Sequence, residues 1–112
     1  MKLLNKYEYK IPKIWFYEIK GVQDVATVKE LETAKTLSAY RASVFLETRA
    51  YIRQSLATIF DLDPLDIPIN ANPGEPPRLP KGMGYLSFSH CKDAFILVWH
   101  EKKNRNRYWE TR

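Results

Sequence analysis

A single cysteine, Cys91, in a chain of 112 residues excludes an intrachain disulfide and suits a reducing compartment. Histidine is nearly as scarce. His90 adjoins Cys91, and neighbours in sequence seldom chelate one ion together, so with only His100 left a structural zinc site is not expected. No apolar run is long. Ala94-Phe95-Ile96-Leu97-Val98-Trp99 falls far short of the roughly 20 residues that a membrane-spanning helix needs. Met1-Lys2-Leu3-Leu4 passes directly into Asn5-Lys6-Tyr7-Glu8, without a signal-peptide core. The chain is therefore expected to be cytoplasmic, with no membrane partner. Internal repeats are also lacking, and no Gly-x-Ser-x-Gly elbow surrounds Ser89, which argues against a nucleophilic serine hydrolase.

What is present fits one globular domain. The hydrophobic fraction is 45% and the aromatic fraction 13%, enough for a single core but not for two. A formal net charge of +5 favours an acidic partner: a phosphorylated cofactor, an acidic protein or nucleic acid.

Ile14 to Ile19 is rich in aromatic and β-branched residues and is followed by Gly21, so it is predicted to be a strand. From about Val25 to Phe60 there is no glycine or proline. Leu31, Ala34, Leu37, Val44, Phe45, Thr48, Ile52, Leu56 and Ile59 recur there at three- and four-residue steps, which predicts amphipathic helix. Ser38 can cap a second helix within that span, so one or two helices fit. Pro64 closes the region, since proline disfavours helix in the residue before it.

Ile67-Pro68-Ile69 is expected to form a short edge strand, and residues 70–84, rich in proline and glycine, a pinned loop. Tyr85 to His90 alternates with period two, and Ala94 to His100 is apolar on both faces. They predict a hairpin whose second strand lies inside a sheet. The fold class expected is α+β: a small, mostly antiparallel sheet packed against one or two long helices.

The chemistry-bearing residues gather in the middle of the chain. Arg41, Arg49 and Arg53 are spaced by eight and four, which brings them to neighbouring parts of one helical surface able to meet phosphate. Gly74-Glu75-Pro76-Pro77 is a rigid loop that can bring backbone groups close to a flat ligand. Ser89 and His90 end a strand where the Cys91-Lys92-Asp93 turn begins.

The order Arg49-Ala50-Tyr51-Ile52-Arg53, Ile67-Pro68-Ile69, Gly74-Glu75-Pro76, Ser89-His90-Cys91 resembles the first half of the surfactin-synthetase-activating type of 4'-phosphopantetheinyl transferase, over roughly residues 38 to 103. Glu75 stands where that family has lysine, Cys91 where it has a second serine, and Ser87 where asparagine is frequent. The resemblance implies one lobe of that fold, with coenzyme A as the substrate held by this half. It implies cofactor-binding roles for Arg41, Arg49, Gly74, Pro76, Ser89 and His90, with Arg78 as a candidate to replace the missing lysine. It implies Mg²⁺ only in the intact enzyme, where a Gly-x-Asp-x-Glu segment holds it, and an acyl or peptidyl carrier protein as acceptor.

The expected metal segment does not follow Ala94 to His100. The chain continues instead as Glu101-Lys102-Lys103 and then the basic stretch 104–112, from Asn104 to Arg112. Under a permitted choice of codons, a one-base shift turns Asn104 to Glu110 into Ile-Gly-Ile-Asp-Ile-Gly. Residues 1–103 are thus expected to be an N-terminal lobe and 104–112 a non-homologous tail, frame-shifted or truncated and without catalytic residues of its own. Half of a two-lobed enzyme would leave an apolar face bare, including parts of the Phe16 strand and of the Phe95 to Trp99 strand, which suggests a homodimer. A second reading stays open: a small basic module for nucleic acid or an acidic protein, using Arg41, Arg49, Arg53 and the tail with Trp109. A cofactor pocket would converge the cations on the end of the Ser89-His90 strand, and a nucleic-acid surface would spread them along a groove.

Overall fold

The computed structural model describes residues 11–21, 25–71 and 75–101. The architecture is α+β: a three-stranded antiparallel sheet covered on one face by helix. Strand β1 (Lys13–Glu18) is followed by helix α1 (Val28–Ala34), helix α2 (Ala39–Phe60), a 3₁₀ turn (Pro64–Asp66) and the hairpin β2 (Tyr85–His90) and β3 (Ala94–His100). The strand order is β1-β3-β2, so the most apolar strand takes the centre, as its sequence requires.

The long glycine-free span divides into two helices, each with its own start. Thr27 caps α1 through a reciprocal box: the Glu30 amide donates to the Thr27 hydroxyl at 3.1 Å, and the Thr27 amide donates to Glu30 Oε1 at 3.0 Å. Ser38 caps α2, accepting from the Arg41 amide at 3.3 Å. Asp61 ends α2 in the left-handed region at φ 56, its amide donating to the Ala57 carbonyl.

The core lies between α2 and the inner face of the sheet. Tyr51, Ile52, Leu56 and Phe60 pack against Phe95, Leu97 and Trp99 of β3, with Trp15 and Tyr17 of β1 alongside. Phe95, Leu97 and Trp99 are wholly buried. At about 1.5–3 kcal/mol for each large apolar side chain, these three alone make β3 the element that α2 cannot fold without. Tyr17 stacks on Tyr51 with ring centroids 4.2 Å apart. Beneath the stack, the wholly buried Glu47 carboxylate accepts the Lys20 amide at 2.6 Å and the Gly21 amide at 2.7 Å, and takes the Tyr51 hydroxyl at 2.6 Å. This fastens the chain leaving β1 to the middle of α2.

Ile67-Pro68-Ile69 does not form the expected strand. Pro68 lacks an amide donor, and the Ile67 carbonyl is taken at 2.8 Å by the Arg53 side chain instead of a neighbouring strand. Among the described residues the pairing in this region is the isolated bridge between Asn70 and Arg78. Among the described residues no helix is long and apolar enough to cross a membrane.

Candidate functional site

Helix α2 presents Arg41, Phe45, Arg49 and Arg53 at successive four-residue steps. The stripe runs for about 18 Å along the helix, drifting slowly around it. Together with α1, the chain around Ile69 and Ala71, and the end of β2, this stripe walls a cavity of about 420 Å³. Lys29, Arg41, Arg49, Arg53 and His90 all line it, with Glu30 and Glu75 as the carboxylates among its described walls. Leu37, Val44 and Phe45 supply an apolar side.

The cations are not equivalent. Arg53 is buried and fully engaged. Its Nη2 lies 2.8 Å from Glu30 Oε2, its Nε donates to both Glu30 oxygens at 3.1 Å, and its Nη1 donates to the carbonyls of Pro64 and Ile67 at 3.2 and 2.8 Å. Those bonds tie α1, α2 and the chain after α2 together, so Arg53 is a structural clamp that happens to form the cavity floor. Burial by itself would raise the Glu30 carboxyl. The hydrogen bonds from Arg53 and from the Thr27 amide, with the charges of Arg53 and Arg49, outweigh burial and hold it below the ordinary value of 4.5.

Arg49 sits one turn earlier and has no ion-pair partner within 4.0 Å among the described residues. Its guanidinium lies over the Phe45 ring, 4.9 Å from the centroid. Burial pushes its pKa down, Glu30 pulls it back up, and the like charge of Arg53 lowers it again. A half-buried guanidinium in that position gains from any anion that enters the cavity.

Strand alternation separates the two residues expected to act as a pair. Phe88 and His90 lie on the side of β2 that faces the helix, and His90 reaches the cavity. Ser89 pairs with Ile96 and so points to the opposite face of the sheet, where it is exposed and cannot join His90. Pro76 is exposed and outside the cavity walls, while its neighbour Glu75 is among them. Arg78 is exposed and bridges to Asn70 rather than entering the cavity. Gly74 and the tail 104–112 lie outside the described residues.

Six wall residues were not singled out from the sequence: Thr27, Lys29, Glu30, Thr33, Tyr40 and Ala71. The legible signal was Thr27-x-x-Glu30, a capping-box pattern that starts a helix and fixes Lys29 beside its first turn. Nothing in the sequence distinguishes Tyr40 from any exposed residue at a helix start.

The donor set does not fit a metal: among the described residues no three His, Cys, Asp or Glu side chains gather where they could hold one. The arrangement can bind an anion whose body is partly apolar, with positive charge spread along the α2 side. Comparison of the chain with protein-family models, with curated proteins and with solved structures finds no match.

Proposed function

We propose that this chain is the coenzyme-A-binding lobe of a 4'-phosphopantetheinyl transferase of the surfactin-synthetase-activating type, the intact enzyme moving phosphopantetheine from coenzyme A to a carrier-protein serine. The observation that carries the reading is convergence. Lys29, Arg41, Arg49 and His90, drawn from α1, α2 and β2, meet in one cavity. In this reading Arg49 and Arg41 hold phosphate, His90 hydrogen-bonds it from the sheet side, and the Leu37, Val44 and Phe45 wall takes the flat base. The Mg²⁺ of the intact enzyme would need carboxylates other than those among the described residues.

The same observation weighs against a nucleic-acid module. Polyanion surfaces spread their cations on an open stripe, whereas these share the wall of one cavity with Glu75 beside them. Titration calorimetry tests the reading: coenzyme A binds, Arg49→Ala weakens binding by about tenfold or more, and a single-stranded oligonucleotide does not compete. Tight binding that is indifferent to both Arg49→Ala and His90→Ala would reject the site, and displacement of coenzyme A by the oligonucleotide would favour the binding module.

A further inference from the structure

The sheet has a second face, and nothing described covers it. The register places Ile14 opposite Val98 and Phe16 opposite Ile96, and on the other side of β3 it places Ser87 opposite Val98 and Ser89 opposite Ile96. These side chains all point away from the helices. Ile14 is 66% exposed, Phe16 65%, Tyr85 52% and Ile96 37%. An aromatic side chain carries roughly 150–250 Å², so these four leave on the order of 500 Å² of largely apolar surface on one flat face. That is near the top of the range for the largest patch on an ordinary monomer.

We infer that this face is the interface of a homodimer, a second copy of the chain lying sheet to sheet on the first about a two-fold axis that crosses the strands. Two observations select a second copy as the occupant. Two such faces stacked together remove about 1,000 Å², the size at which a specific interface begins. The face is apolar along β1 and β3 and hydroxyl-bearing along β2, so this axis lays β1 on β1 and β2 on β2, like on like. The tail is a poor occupant, since Lys102, Lys103, Arg105, Arg107 and Arg112 would meet a largely apolar surface with Glu18 at one end.

The cavity with His90 and Arg49 opens on the helix side, so the dimer leaves it accessible. Sedimentation equilibrium over a concentration series tests the interface on the full chain. The mass rises from that of one 13.2 kDa chain toward that of two, and Phe16→Glu and Ile96→Lys each abolish the rise. Thermal unfolding reports that these variants stay folded, and Ile14→Lys serves in place of either one that does not. Coenzyme A titration of the folded variants is unchanged, which separates this interface from the cavity. A chain that stays monomeric at every concentration, or a dimer that survives all folded variants, overturns the inference.

Discussion

Glu30 on α1 and Arg53 on α2 meet as a closed fork, both side chains nearly excluded from solvent and 2.8 Å apart at their nearest atoms. One charge of the cavity wall is thereby neutralised internally, and the remaining positive charge falls to Lys29, Arg41 and Arg49. In the proposed reading, structure and binding are divided between two arginines one helical turn apart.

Arg53→Ala should therefore destabilise the fold by about 3–5 kcal/mol, because it strands a buried carboxylate and takes a donor from the Ile67 and Pro64 carbonyls. Arg49→Ala should shift the denaturation midpoint by far less, while removing most of the affinity for phosphate. Chemical denaturation of the two variants beside calorimetry with coenzyme A checks both halves. Equal stability losses would contradict the division.

Stability should fall on both sides of neutral pH for identifiable reasons. The Glu30 carboxyl is held below 4.5 in the folded chain, so its contribution is full above that pH and is lost as pH falls through the lower folded value. Burial, followed by the hydrogen bond to Glu47, raises the Tyr51 phenol above 10.0. Its contribution is full below pH 10.0 and is lost as pH climbs toward the higher folded value. Thermal midpoints measured against pH should show Glu30→Gln flattening the acid limb and Tyr51→Phe flattening the alkaline one. Unaltered limbs in both variants would place the linkage elsewhere.

Glu75 opposes the ligand that the rest of the cavity invites. Glu75→Lys should tighten coenzyme A binding by about 1 kcal/mol, roughly fivefold, and the gain should shrink as salt is added. Calorimetry at low and high ionic strength reads this directly. No gain at low salt would mean that the ligand does not pass that wall.

Gly84 is needed for two separate reasons. Its φ is +90, and a Cβ there would lie 2.4 Å from Trp99 Nε1 and 2.8 Å from the His100 carbonyl oxygen. The indole cannot retreat, because it is wholly buried and donates to the Met83 carbonyl at 2.9 Å. Gly84→Ala should cost about 3 kcal/mol or more, seen as a lowered thermal midpoint. A midpoint within a degree or two of the parent would show that the turn has room to relax.

The elements were readable where one signal dominated. The six-residue apolar run of β3 demanded a central strand, and Ser38 marked the break between the helices. The apolar stripe of α2 was harder to interpret, because its members serve two environments. Ile52 and Leu56 enter the core, while Val44 and Phe45 line the cavity, and Leu31 on α1 stays exposed. Periodicity reports that a residue is apolar, not which concavity takes it. Arg49 and Arg53 look alike in sequence for a similar reason: what separates them is Glu30, 23 positions upstream of Arg53. Ser89 and His90 were read as a pair from adjacency, although a strand sends neighbours to opposite faces.

That alternation gives the hairpin a parity. β2 is an edge strand held by β3 alone, and a slip of one residue between them would exchange its two sides at a stroke. His90 would leave the cavity for the outer face and Ser89 would take its place, with every backbone hydrogen bond of the ladder still available. Two contacts outside the ladder oppose this shift. Gly84 is locked beneath the Trp99 indole at one end of β2, and at the other the Cys91 amide donates to the Ala94 carbonyl at 2.9 Å. The length of chain between those two points therefore decides which side chain of β2 faces the cavity. Adding or removing a single residue there would turn His90 outward while leaving the wall residues on the helices as they are.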